Sequence, residues 1–414
     1  MKLLHCADLH IDSPLLGLAR YEGAPVERMR SATRRAVERL VDLAVAENVD
    51  VVLVGGDVFD GPWRDAGTGL WWNGQLSRLV DEGIRVFVVH GNHDADSVIS
   101  RRIRPPDGVH VFGSDGPSTE VLDDLPLAVH GQSYATAATH DDLAAGYPDP
   151  VPGLVNVGLL HTSLDGREGH APYAPCRPGA LAARGYDLWA LGHVHGREHH
   201  QDGPTHLLFP GNTQGRHARE TGAKGVSLIT TDDTSVRSIH HVEVDAVRWC
   251  RVPVDCTEAS GVDDVEDRVV DAVIDAWREA GRPAAVRVEL VGRPGRGGVG
   301  DPSSLRTQLV ADLAHRSDGD IWLEKVQDRT QSDVSALSSE AVAAVVGAIE
   351  RLEVDEHTLA DLAELLRPLQ GATAGARARR SVADGAPPLA SVATVTDHLP
   401  AVREQLLSRL EGRV

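Results

Sequence analysis

Short unbroken apolar runs alternate with longer amphipathic stretches through the first half of the chain. Residues 2–7, 51–54 and 84–89 read as strands, and the last two are apolar apart from Arg85, as strands buried on both faces are. Residues 31–48 read as an amphipathic helix in which Ala36, Leu40, Leu43 and Glu47 divide an inner from an outer face, and 67–82 as a second helix. Further strands are expected at 127–130, 155–160, 187–191, 207–209 and 226–230. The pattern predicts layered α/β (α+β) structure: a two-sheet β-sandwich core flanked by helices, with its loops gathered at one edge.

The rhythm changes near residues 244–251. Over 262–280, Val262, Val265, Val269, Val273 and Trp277 recur at helical spacing. Over 285–291, Val286, Val288 and Leu290 alternate with Arg287 and Glu289, as in a half-buried strand. A helix at 305–315 and a strand at 321–326 complete a small α+β unit. Beyond it, 339–352 and 358–366 look helical, and 370–390, rich in Ala, Arg, Gly and Pro, reads as a flexible linker. Leu399, Val402, Leu406 and Leu410 share a face of a last helix, which either folds back on its own domain or docks a partner. A length of 414 residues suits two or three domains. The division expected is 1–247, 248–330 and a helical C-terminal region, 331–414.

Composition narrows the class. The longest apolar runs are strand-sized, so no membrane-spanning helix is expected, and Asp8 comes too early for a signal peptide. Four cysteines without a framework spacing argue for a reducing, cytoplasmic setting. Cys6 reads as core packing, and Cys250 and Cys256 read as neither ligands nor a disulfide. The net charge is −20, whereas a protein that grips DNA over a broad surface is normally basic. Nucleic-acid contact would therefore be local. Lysine occurs only at Lys2, Lys224 and Lys325, so nearly all of the 41 basic residues are arginine. The guanidinium fork suits phosphate, though a GC-rich coding bias gives the same ratio.

The chemistry lies in five short motifs. In order they are Asp8-Leu9-His10, Gly56-Asp57-Val58-Phe59-Asp60, Gly91-Asn92-His93-Asp94, Gly158-Leu159-Leu160-His161-Thr162 and Gly192-His193-Val194-His195. Four of the five end a predicted strand. Asp8 and His10 are two apart, as are His193 and His195, so each pair projects to one side. Singly, Asp-x-His or one histidine means little, and Gly-Asn-His-Asp is also a turn sequence. Together, Asp8, His10, Asp57, Asn92, His161, His193 and His195 supply carboxylate, amide and imidazole groups for two divalent cations, a standard means of breaking phosphate esters. A mixed oxygen and imidazole set without thiolate points to Mn²⁺, Fe or Zn²⁺.

On these residues the chain resembles the calcineurin-like metallophosphoesterase superfamily, and within it the bacterial SbcD-like and YhaO-like DNA repair exonuclease subunits. The stretch from Pro210 through Gly215-Arg216-His217 to Lys224-Gly225, and the opening Cys6-Ala7-Asp8-Leu9-His10, resemble the YhaO-like branch. The resemblance spans roughly residues 1–330. It implies one metal at Asp8, His10, Asp57 and His195 and another at Asp57, Asn92, His161 and His193, with Mn²⁺ first and Fe, Zn²⁺ or Mg²⁺ as alternatives. It implies that His93 protonates the leaving oxygen while Asp94 orients its ring. Some relatives carry a histidine where this chain has Asp60. Residues 248–330 would cap the site and help select DNA shape. Arg101, Arg102, Arg104, Arg216, His217 and the Gly292–Gly297 loop are candidate phosphate contacts, each equally readable as ordinary surface.

The implied function is a two-metal DNA exonuclease, with endonuclease activity on single strands, in double-strand break repair. Its partners would be DNA, a large coiled-coil ATPase docked through the C-terminal helices and, in a homodimer, a second copy of the chain. Two rivals stand beside it: the same chemistry on a cyclic nucleotide, phospholipid or phosphoprotein, and a mainly architectural subunit that positions DNA.

Overall fold

The computed structural model describes residues 1–13, 25–60, 66–97, 103–164, 173–295, 297–331 and 358–359. Residues 1–330 form one compact unit and 331–414 a second, of which only three residues are described. The helices expected at 339–352 and beyond, and the linker at 370–390, lie outside the described residues.

In the first unit the chain runs β1 (Lys2–Cys6), α1 (Val26–Ala46), β2 (Val51–Val54), α2 (Ala66–Asp81), β3 (Arg85–Val88), α3 (Asn92–Asp96), β4 (Val109–Val111), β5 (Ser118–Val121), β6 (Leu127–Gly131) and β7 (Val155–His161). It continues through α4 (Pro178–Ala183), β8 (Leu188–Gly192), β9 (Glu198–Asp202), β10 (Thr205–Phe209), β11 (Gly225–Thr231), β12 (Val236–Glu243) and β13 (Arg248–Asp255). Last come α5 (Val262–Ala280), β14 (Ala284–Val291), α6 (Pro302–Arg316) and β15 (Ile321–Asp328).

Two six-stranded mixed sheets form the body, ordered β12-β11-β1-β2-β3-β4 and β5-β6-β7-β8-β10-β9. Their inner faces close on one core, Leu3, Leu53 and Phe87 from one sheet meeting Val129, Leu159 and Leu208 from the other. The outer face of the first sheet packs Leu4, Cys6 and Val52 against Leu40, Trp72 and Leu76 of α1 and α2. Strands β1 to β3 run parallel, as do β7 and β8. Their carboxyl ends carry all five motifs, the place where ligands collect in open α/β sheets.

The apolar rhythm misses β4, β5, β9 and β12, for a common reason. Each lies at an edge or shows a polar face, and β9 is Glu-His-His-Gln-Asp with four of its five residues exposed. Helix α1 starts at Val26, earlier than residue 31, because Met29 and Ala32 are buried against Trp249, Ala285 and Trp322. The small α+β unit is an all-parallel β-α-β-α-β sheet with its own core, Val265, Val269 and Val273 packing on Val286, Val288 and Leu290. All four cysteines are free, and no described helix is long and apolar enough to cross a membrane.

Candidate metal centre

At the motif edge the backbone itself is unusual. Asp8, His10, Asp57 and His193 hold φ of 53°, 42°, 53° and 101°. Such left-handed geometry costs non-glycine residues roughly 1–3 kcal/mol each and gathers at functional sites. Glycine makes room for the strand ends to meet. A Cβ on Gly91 would lie 2.3 Å from Asp57 Oδ1 and one on Gly56 2.7 Å from His161 Nδ1, so a side chain at either fills the space the ligands need.

Groups far apart in the chain converge here in three sets, the third being His10, Asp60 and His93. Ligand atoms of Asp8, His10 and His195 lie within 4.8 Å of one another, as do those of Asp57, His161 and His193. In the first set, His10 Nε2 and His195 Nε2 face each other at 3.2 Å. In the second, His161 Nε2 stands 3.1 Å from Asn92 Oδ1 and 3.5 Å from Asp57 Oδ2. Asp57 belongs to the second set; its other carboxylate oxygen accepts the His93 N–H at 2.9 Å, and its carbonyl oxygen accepts the His10 N–H at 3.1 Å, which ties the first two sets through backbone. Both oxygens of Asp8 accept the N–H of His193 at 3.1 Å, which ties the end of β1 to the end of β8.

The tautomers favour a metal. His161 Nδ1 faces the Gly55 carbonyl oxygen at 2.8 Å and His195 Nδ1 faces Glu220 Oε1 at 2.7 Å. Each ring can then keep a proton on Nδ1 and offer Nε2 inward to a metal, the arrangement an outer layer imposes on metal-bound histidine. The Nε2 atoms of His10 and His195, 3.2 Å apart, are close enough to share a proton or to ligate one cation. The residues present therefore fit two divalent ions.

Charge within the site is arranged by burial and by neighbours. Burial pushes His10 down to about 3, which keeps its imidazole neutral. Burial opposes the charged forms of His161 and Asp57 as well, but each outweighs it for the other: His161 rises to about 9 and Asp57 stays well below the usual carboxylate range. A divalent ion bound there would take the place of that proton.

Asp94 corrects an expectation. Its carboxylate is buried and accepts the backbone N–H groups of Val58, Phe59 and Gly91, locking the Asp57 loop to the His93 loop. The ring of His93 instead faces Asp60, with Nδ1 3.2 Å from Oδ1. That same oxygen lies 3.5 Å from His10 Nδ1, and Ser13 Oγ donates to the other at 2.6 Å. Burial disfavours the charge on His93, but the Asp60 contact wins and raises its pKa.

Sequence reasoning misses Glu220 as an outer partner of His195, and Lys224, whose ammonium donates to the His195 carbonyl oxygen at 3.1 Å. Both fall inside the stretch that carries the YhaO-like resemblance, and that is their signal. Tyr134, whose ring stands edge-on to His161 at 5.4 Å, has none. Arg216 lies beside the first ligand set, 3.4 Å from His195 Nδ1, and His217 sits half-exposed next to it. Arg104 is exposed, its carbonyl oxygen accepting from Asn73 Nδ2. Arg101, Arg102 and Arg296 lie outside the described residues.

Residues 1–197 match the calcineurin-like phosphoesterase family, and residues 249–331 match the middle domain of metallophosphoesterase YhaO. The chain is 31% identical over 341 residues to an uncharacterized metallophosphoesterase YhaO of Bacillus subtilis, covering 81% of this chain and 83% of that one. It is 26% identical over 297 residues to the DNA double-strand break repair protein Mre11 of Aeropyrum pernix, covering 66% of this chain and 68% of the relative. A shorter match, 31% over 141 residues and 30% of each chain, is to one subunit of the nuclease SbcCD of Rhodobacter capsulatus.

Proposed function

This chain belongs to the YhaO-like branch of the calcineurin-like metallophosphoesterases, and from that premise we propose that it cleaves DNA phosphodiesters as a two-metal exonuclease. The observation that carries the phosphodiesterase reading is the convergence of the ligand sets at one edge of the two sheets, with the His93 backbone tied to Asp57. Asp8, His10, Asp57 and His195 would hold one ion, and Asp57, Asn92, His161 and His193 the other. Bound there, two divalent ions supply Lewis-acid charge for the phosphoryl group and activate water near neutral pH. Gly55 and Glu220 hold the His161 and His195 rings in the ligating tautomer. Asp60 fixes His93 through Nδ1, which leaves the Nε2 proton for the departing oxygen. Asp94 acts one step back, by holding the loops that carry Asp57 and His93 together.

DNA as substrate is supported by the likeness to proteins named for double-strand break repair and for a nuclease. In this reading residues 248–330 cap the site, Mn²⁺ is the working metal, and a coiled-coil ATPase docks through residues 331–414. The protein would act in the cytoplasm. Incubating the purified chain with Mn²⁺ and end-labelled duplex DNA tests it, and released nucleotides are the expected result. No cleavage with Mn²⁺, Fe²⁺, Zn²⁺ or Mg²⁺, while a small phosphodiester is turned over, would remove the nuclease reading. The net charge of −20 favours that second outcome, a small phosphoester as substrate.

A further inference from the structure

Several described arginines are spent on structure. Arg34, Arg248 and Arg287 each grip one carboxylate with two nitrogens: Arg34 holds Asp12 at 2.8 and 2.5 Å, Arg248 holds Asp245 at 2.7 and 3.0 Å, and Arg287 holds Glu324 at 2.7 and 2.6 Å. Such pairs spend the guanidinium fork on structure. Arg216 differs. Its side chain is only 16% exposed, yet its contacts are all long: 3.7 Å from Nη1 to Asp60, 3.6 Å from Nη2 to Glu220 and 3.4 Å from Nη2 to His195 Nδ1. Its Nε is buried with no hydrogen-bond partner among the described residues. Ordinary N–H···O bonds lie between about 2.7 and 3.2 Å.

The two carboxylates beside it are held by other groups. Glu220 accepts the Arg216 backbone N–H at 2.8 Å and Asn212 Nδ2 at 3.0 Å, besides facing His195 Nδ1. Asp60 is occupied by Ser13 and His93. The cation is thus suspended between two fixed anions, with donors unspent, at the rim of the ligand sets. Its contacts reach His195 and Asp60, the carboxylate it shares with His93. With His93 as the proton donor proposed above, that is the leaving-group side of the site.

We infer that Arg216 forms a second phosphate subsite, which takes the phosphate next to the scissile one on the leaving-group side. The inference rests on the DNA reading above and adds what that reading lacks, a reason for this acidic chain to prefer a polynucleotide to a simple diester. A guanidinium fork matches a phosphate's paired oxygens, and a charge-assisted bond of this kind is worth about 10- to 100-fold.

The test compares kcat/KM on single-stranded DNA with that on bis(p-nitrophenyl) phosphate, which has no neighbouring phosphate, for wild type, Arg216→Ala and Arg216→Lys with Mn²⁺. The expected result is a DNA-to-diester ratio lowered about 30-fold in Arg216→Ala, mainly through KM, with Arg216→Lys between. Manganese content and Tm, measured alongside, identify any variant that fails to fold, and Arg216→Lys then carries the comparison. Equal loss on both substrates would place Arg216 at the scissile phosphate and overturn the subsite, as would an unchanged ratio. A wild type that turns over the diester but never DNA would sink the DNA reading itself.

Discussion

Asp8, His10, Asp57 and His193 lie in left-handed backbone at the motif edge, whereas the three-stranded unit confines its non-glycine positive φ to two turn residues, Glu258 and Asp318. The contrast extends to the side chains. The motif edge buries His10, Asp8, Asp57, Asp94 and His161, while the core of the small unit is Val, Leu, Ile and Ala with a single cysteine. One region follows the local rules of helix and strand. The other breaks them at three of its five ligand-bearing strand ends, those of β1, β2 and β8, and the two large sheets hold it in place. Buried charge at the edge is what a metal would relieve, whereas in the small unit the buried Glu324 is already neutralised by Arg287.

The sharpest way to break that comparison is Asp57→Asn. If Asp57 serves both ions, turnover falls about a thousandfold, the several kcal/mol that a metal's charge supplies to the transition state. Metal content measured by mass spectrometry should drop below two ions per chain. A variant that kept both ions and wild-type turnover would mean the strained edge has some other purpose.

His93→Asn should cost less, about a hundredfold in kcat, the ordinary contribution of a general acid, with metal content unchanged. Asp60→Asn should fall between this variant and wild type, since the amide still reaches Nδ1 but no longer favours the charged ring. Asp94→Asn separates the two carboxylates. It should lower Tm through the Val58, Phe59 and Gly91 amides more than it lowers turnover per folded molecule. A larger kinetic loss from Asp94→Asn than from Asp60→Asn would restore the first expectation for Asp94.

The same contrast decides how much can be read in advance. Helix 262–280 is legible to the residue because Val265, Val269 and Val273 mark one face with no competing signal. The seven ligand candidates are legible because their types and order suit paired cations. What surrounds them is not. Asp60, Glu220 and Lys224 act through three-dimensional proximity that no periodicity encodes. Adjacency in sequence points to Asp94 as the partner of His93, but its loop turns the carboxylate toward backbone amides. The edge strands escape for the opposite reason: β9 and β5 carry little apolar pattern because they bury little.

Glu220→Gln sharpens the picture at a smaller scale. Outer partners of metal-bound histidine are worth about 10- to 100-fold in metal affinity or activity, and the lower end is expected, since Gln keeps an oxygen for His195 Nδ1. A pH signature accompanies it in the metal-free protein. Burial works against the Glu220 charge, but the His195 contact outweighs it and holds the carboxyl below the usual range. Its folded pKa is depressed, so its stabilisation is complete above the ordinary glutamate value of about 4.3 and drains as pH falls through the folded value. The Tm difference between wild type and Glu220→Gln should therefore shrink on acidification below about pH 4. A constant difference across that range would show that the carboxylate's charge is not what matters.

The smallest catalytic effect is expected from the regular region. Leu313 of α6 is fully buried in the core of the three-stranded unit. Truncation to alanine should cost about 3 kcal/mol by leaving a cavity, which lowers Tm by several degrees. Turnover of a small phosphodiester per folded molecule should change less than about twofold, because no ligand rests on that helix and the cavity lies behind its own sheet. Stability and chemistry would then be separable: loss of one in the small unit, loss of the other at the motif edge. If Leu313→Ala instead lowered small-diester turnover as far as Glu220→Gln does, the two regions would be mechanically coupled. The strained edge would then depend on the three-stranded unit as well as on the sheets that carry its ligands.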